Sequence, residues 1–189
     1  MNVFEAIRER RSIRQYKPTP VSEEKLNAVL EAARWAPSWG NTQCWNLVLV
    51  RDAETKERLA ETLNPTNRGI AAMQSAPIVI VACAEKGRSG YYRGEVATDK
   101  GDWFMFDVAL AMQNVTLAAH ALGLGTLHIG LFDAPKVAEI IGLPQGLEVV
   151  ELMLLGYPDG SHAAPRRKEL AEFVFLEKYG NSEGGLSLV

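Results

Sequence analysis

The stretch APIVIVACA, Ala76 to Ala84, constrains this chain more than any other. It is the longest apolar run present, and a bilayer crossing needs about 20 such residues, so it is not a membrane span. It reads instead as a strand over Pro77–Cys83. A strand with one face in water alternates apolar and polar residues; this one does not, so it has to be covered on both faces. Whatever surrounds it must supply two apolar layers.

The rest of the chain supplies them mainly as helices. Val3, Ala6 and Ile7 share one face of a short helix from Val3 to about Glu9. Ser22 is placed to cap a helix whose first turn carries Glu23 and Glu24 and whose stripe is Leu26, Val29, Leu30 and Ala33, until Pro37 stops it. Asp52 begins another, with Leu59 and Leu63, and Asp133 a third, running through Ile141 to Gly142. The longest spans Gly101 to Leu122. There Met105, Val108, Met112, Val115, Ala119 and Leu122 repeat at threes and fours, alanines widen the stripe, and Gly123 ends it. Strands are expected at Cys44–Val50, Thr126–Ile129 and within EVVELMLLGYP, Glu148–Pro158. About four strands serving many helices is an α+β arrangement. Residues 85–98 show no periodicity. No repeat or linker breaks the chain, so one domain over residues 1–189 is expected.

The net charge of −3 and pI near 5.7 argue against a general nucleic-acid binder, and any anion site must be local. One candidate is RERRSIRQY, residues 8–16. Arg10, Arg11, Ser12 and Arg14 fall at a helix end and in the turn after it, where they can converge on one point. Guanidinium forks and a hydroxyl suit phosphate oxygens; a solvated basic turn is the alternative, and Arg8 is expected at the surface. A second candidate is APSWGNTQCW, Ala36–Trp45, where small residues, side-chain amides and Trp39 can hold a flat polar heterocycle, unless it is an ordinary loop. PRRKEL, Pro165–Leu170, is a second basic cluster that matters only if it reaches the first. In LGLGTLHIGLFD, Gly123 and Gly125 follow a helix and precede a strand, the reverse of a dinucleotide fingerprint. Gly130, just past a strand end, can present bare backbone, and His128 is more simply a satisfied half-buried histidine than a base. Cys44 and Cys83, the only cysteines, lack metal-ligand spacing; no metal site is expected, and a reduced, cytoplasmic setting is. The N-terminus shows no secretory pattern. With no nucleophile elbow or paired carboxylates, hard chemistry would have to come from a phosphate-bearing, planar, redox-active cofactor.

The block RRSIRQYKPTPVSEEKLNAVLEAARWAPSWGNTQCWNLVLV resembles the opening of the FMN-dependent nitroreductase family. LAAHALGLGTLHIGLFD, GLPQGLEVVELMLLGYPD and PRRKELAEFVFLEKYG are similar to its later blocks, in the same order. The resemblance implies a small mixed, mostly antiparallel sheet flanked by helices. It also implies a homodimer with FMN at the subunit interface and NADH or NADPH as transient electron donor. By position, Arg10, Arg11, Ser12 and Arg14 match phosphate and ribityl-flavin contacts, with Arg14 toward the N1–O2 edge. Pro37, Ser38, Trp39 and Asn41 match a loop contributed by the partner subunit. Ile129 and Gly130 match the segment facing the N5–O4 edge, and Arg167, with Arg166, the C-terminal phosphate ligand. Asn67 and Arg68 are candidates in a segment that does not align clearly, and Cys44 stands where the family often has proline. No side chain need be the catalytic acid. The expected activity is hydride transfer from NAD(P)H through flavin N5 to a nitroaromatic, quinone or similar flat acceptor, with ping-pong kinetics. Other flavin chemistry (dehalogenation, flavin fragmentation) and non-catalytic FMN binding are the alternatives. Phe173–Leu176 alternates like a strand with no partner in its own chain, and is expected to cross to the other subunit.

Overall fold

In the computed structural model, which describes residues 1–160 and 162–181, the chain begins with α1 (Val3–Glu9) and α2 (Glu23–Arg34). It continues through β1 (Trp45–Val50), α3 (Ala53–Ala60), α4 (Gly69–Ser75) and β2 (Ile78–Glu85). A small ribbon, β3 (Tyr91–Tyr92) and β4 (Glu95–Val96), precedes α5 (Phe104–Ala121). Then follow β5 (Gly125–Ile129), α6 (Ala134–Ile140) and β6 (Leu147–Gly156). The caps are those the sequence announces: Ser22, Asp52 and Asp133 each accept a hydrogen bond from the backbone N–H three residues on. No helix among the described residues is long and apolar enough to cross a membrane.

Four strands form one antiparallel sheet in the order β1-β2-β6-β5. A parallel bridge from Ser12 to Thr126 extends it on the β5 side. The unbroken apolar run of β2 is explained by two cores. Ile78, Ile80, Ala82 and Ala84 join a cluster with α2 and α5 on one face. Val79, Val81 and Cys83 join Leu59, Met73 and Val137, from α3, α4 and α6, on the other. Fully burying a branched apolar side chain contributes about 1.5–3 kcal/mol, and a polar residue anywhere from Ile78 to Ala84 would have no water to reach.

Four expectations are refined. The buried stripe of α5 starts at Phe104, not Met105, and continues through Val108, Ala111, Met112, Val115 and Ala119; Met105 and Phe106 are exposed. The helix begins at Phe104, and its first turn points Phe104 and Asp107 inward. Residues 85–98 contain a hairpin whose turn, Arg93-Gly94, has φ of 53° and 85°. Arginine in the first left-handed position hides the usual turn signal. Helix α4 was not foreseen, because Arg68 precedes it without a side-chain cap and a glycine opens it. Residues 173–176 follow a short 3₁₀ turn, Leu170–Glu172, and pair with no strand of their own chain. Phe173 is exposed there. The Gly/Ser-rich end of the tail, from 182, lies outside the described residues.

Candidate functional site

The first basic cluster is built by a helix end and a sheet edge. A reciprocal cap between Asn2 and Glu5 starts α1, and the helix closes at Arg10, where φ −57° and ψ 142° turn the chain into an extended path. That path lies against β5. Ile13 N–H donates to Thr126 O at 2.9 Å, and Lys17 N–H donates to Tyr157 O at 2.9 Å. Tyr16, whose hydroxyl donates to Ile13 O at 2.9 Å, is buried enough for its phenol pKa to be pushed up. Because an extended chain alternates, burying Ile13 turns its neighbours Ser12 and Arg14 the other way. The close approach depends on Gly125: a Cβ there would overlap Ile13 Cγ1 and sit 3.0 Å from Pro158 Cγ.

The result is a hollow of about 580 Å³ lined by Arg10, Arg11, Ser12, Arg14, His162 and Arg167, with Ala163 and Pro165. No carboxylate lines it, and none of its four arginines forms an ion pair among the described residues. Arg11 is held by its own backbone, Nη1 donating to Arg8 O and Arg10 O at 2.8 Å each, while its Nε is buried without a partner. The C-terminal cluster therefore does reach the first, but through Arg167; Arg166 is not among the lining residues. Unpaired guanidinium groups converging on a concavity in a chain of net charge −3 form a local anion site.

Pro37, Ser38, Trp39 and Asn41 lie elsewhere in the same chain, and none lines that hollow. Trp39–Asn41 is a 3₁₀ turn whose last residue, Asn41 (φ 55°), is left-handed, as is Gln43 (φ 48°) after it, an uncommon state for residues with side chains. Ser38 Oγ accepts from Gln43 N–H at 3.0 Å, and Gln43 Nε2 donates to Asn41 Oδ1 at 3.2 Å. The loop is also tied to a buried acid the sequence did not flag, Asp107 of α5. Trp39 N–H donates to Asp107 Oδ1 at 2.9 Å and Thr42 Oγ1 to Oδ2 at 3.1 Å. Cys44 beside it is buried, and that burial, with the Asp107 charge, pushes its thiol up to about 11, so it is an inert thiol. An aspartate inside an otherwise apolar helical stripe was the available signal.

Ile129 is buried at the end of β5 against Gly69, whereas Gly130 is exposed and a Cβ there would meet nothing within 4 Å. Its missing side chain therefore has no packing reason within this chain. His128 ring nitrogens lie 2.9 Å from Thr116 Oγ1 and 2.8 Å from Glu151 Oε2, a satisfied histidine. Asn67 Oδ1 accepts from Gly69 N–H at 2.8 Å, helping to start α4, and Arg68 is exposed.

The nitroreductase family model matches residues 7–74 and 63–157 of this chain. An NADH dehydrogenase of Thermus thermophilus is 32% identical over 174 residues, covering 79% of this chain and 83% of that protein. An FMN reductase [NAD(P)H] of Bacillus subtilis is 28% identical over 176 residues, covering 87% of this chain and 69% of that protein. Among solved structures, an FMN-dependent nitroreductase from Clostridium difficile superposes with a TM-score of 0.78 at 26% identity. That match covers 93% of this chain and 99% of the other.

Proposed function

The chain belongs to the nitroreductase family, and from that premise we propose that it is an FMN-dependent NAD(P)H oxidoreductase whose arginine hollow holds the FMN phosphate. The observation that carries this reading is the hollow itself: four unpaired guanidinium groups and Ser12, with no acid among the described lining residues. A phosphate dianion is the group that such donors satisfy, and the buried, unpartnered Arg11 Nε sits at its wall. The relatives' names supply the rest, an FMN reductase using NAD(P)H and an FMN-dependent nitroreductase.

When bound, FMN would supply the hydride chemistry; this chain's residues bind and orient. Arg10, Arg11, Ser12 and Arg167 hold the phosphate end. Arg14, more exposed and one alternation further along, reaches toward the ring. Gly130 lets backbone approach the ring edge without a Cβ in the way. Pro37, Ser38, Trp39 and Asn41 do not reach the hollow of their own chain, so a second copy contributes them and the site is shared in a homodimer. Exposed Phe4, Ile7, Met105, Phe106 and Phe173 give that dimer apolar surface to bury. Residues 173–176, which join no strand among the described residues, cross to the partner's sheet. We read residues 1–189 as one domain, working in a cytoplasmic setting that suits two buried free thiols.

Donor and acceptor use one flavin face in turn, and the acceptor is a nitroaromatic, quinone or similar flat molecule. Initial rates with varied NAD(P)H and quinone should therefore give parallel double-reciprocal lines. Intersecting lines would require both substrates bound together and would refute the shared face.

A further inference from the structure

Asp107 is fully buried, yet no cation pairs with it among the described residues. Its carboxylate is held instead by neutral donors from two separate stretches of chain. From the 37–44 loop come Trp39 N–H at 2.9 Å, Thr42 Oγ1 at 3.1 Å and the Cys44 thiol at 3.7 Å. From the segment before α5 comes Ser89 Oγ, at 2.6 Å the shortest of the set. The position is electrostatically suitable, because Asp107 lies in the first turn of α5, where unpaired N–H groups favour an anion.

Ser89 is not an incidental partner. It sits at the root of the β3–β4 hairpin: Trp103 N–H donates to Ser89 O at 3.0 Å, and Ala97 N–H closes back onto Gly90 O at 2.9 Å. The hairpin carries exposed Tyr92 and Val96, and its root adjoins Trp103, packed edge-on against Phe106 with centroids 5.3 Å apart. One carboxylate thus joins a loop containing left-handed Asn41 and Gln43 to the base of an exposed aromatic hairpin. Apart from Cys44, whose O accepts from Glu85 N–H at 2.9 Å where β1 begins, neither stretch pairs into the four-stranded sheet.

We propose that Asp107 is a positioning residue that sets the 37–44 loop and the 89–97 hairpin as one unit. Taken with the function proposed above, on which its catalytic consequence rests, the pose of the cofactor-facing loop is mechanically coupled to that of the exposed aromatic hairpin. Ser89 carries the hairpin half of the coupling and Thr42 part of the loop half.

The test uses the full-length protein and three variants. Asp107→Asn keeps the size and can still accept from Trp39 N–H but removes the charge; Ser89→Ala and Thr42→Val each cut one branch. Amide hydrogen exchange reads the coupling without any turnover. Asp107→Asn should speed exchange about tenfold in both 38–43 and 89–97, the loss of one or two charge-assisted bonds, with β2 unchanged. Because Thr42 and Ser89 share Asp107 Oδ2, Ser89→Ala should speed 89–97 most and 38–43 by a smaller factor, and Thr42→Val the reverse. By equilibrium dialysis, Asp107→Asn should weaken FMN several-fold and Ser89→Ala by a smaller factor. If Asp107→Asn does not fold, the two branch variants still decide. Exchange that rises uniformly through the core, in neither segment, or only in the segment whose own bond is cut, overturns the coupling. If the segments respond as stated but the protein binds no FMN, the positioning role stands and the proposed function fails.

Discussion

Gly125→Ala tests the geometry that makes the arginine hollow. Its new Cβ would overlap Ile13 Cγ1 and stand 3.0 Å from both Ile13 Cβ and Pro158 Cγ. Ile13 is buried, so it cannot swing into solvent to relieve the clash. Overpacking of this kind costs about 1–3 kcal/mol. Displacing Ile13 also stretches its N–H bond to Thr126 O, another ~0.5–1.5 kcal/mol. Gly125 does not adopt positive φ, so alanine restricts the unfolded chain and returns about 0.4–1 kcal/mol. The net expectation is a loss of about 0.5–4 kcal/mol, read as a lower urea midpoint for apoprotein at unchanged slope. Ser12 and Arg14 flank Ile13 and must move with it, so FMN affinity should fall about tenfold or more, the worth of one charge-assisted bond. Gly130→Ala is the control. Nothing lies within 4 Å of its Cβ and its φ is not positive, so stability should stay within about 0.5 kcal/mol while flavin binding or turnover suffers. If Gly125→Ala changes neither stability nor FMN affinity, Ile13 is not clamped against β5 and the hollow is not formed as described.

The two C-terminal arginines should separate. Arg167→Ala, which removes a lining group, should weaken FMN about 10- to 100-fold, and Arg166→Ala less than about threefold, by equilibrium dialysis. Both cysteines are buried with thiols pushed up to about 11 from 9.0. The unfolded chain therefore releases these protons first: their contribution is intact below pH 9 and declines as pH rises to 11, by about 1.4 kcal/mol per pH unit per thiol. Urea unfolding at pH 8 and pH 10.5 would show this fall, and Cys83→Ala should lessen it. Deleting Glu172 onward keeps every arginine of the hollow, yet should weaken the dimer and release FMN together. A stable monomer that still holds FMN, by light scattering and flavin absorbance, would refute the shared site.

What could be read from the sequence depended on whether one local rule decided the outcome. β2 was legible because an unbroken apolar run has only one home, between two layers. The caps at Ser22, Asp52 and Asp133 were legible because each uses its own side chain on its own helix. The start of α5 was not: Phe104 and Met105 are equally apolar, and only the packed sheet selects which one turns inward. Convergence of Arg10, Arg11, Ser12 and Arg14 followed from their place at a helix end and in the turn after it. The choice of Arg167 over Arg166 did not, since it depends on the path of a tail with no periodic structure of its own. Asp107 was missed because a lone acid in an apolar stripe reads as a surface position until its donors, 18 to 68 residues away in the chain, are seen around it.

The central claim is that the hollow recognises the FMN phosphate, and the comparison of FMN with riboflavin isolates it, since the two share the ring and ribityl chain and differ in the phosphate. Titrating each into apoprotein and into an Arg10→Ala/Arg167→Ala double variant should show FMN bound at least about 100-fold more tightly than riboflavin by the unaltered chain, as two charge-assisted bonds would give. In the double variant, which should stay folded, that preference should shrink to about tenfold or less. Equal affinity for the two flavins, or a preference that the double variant preserves, would contradict the claim.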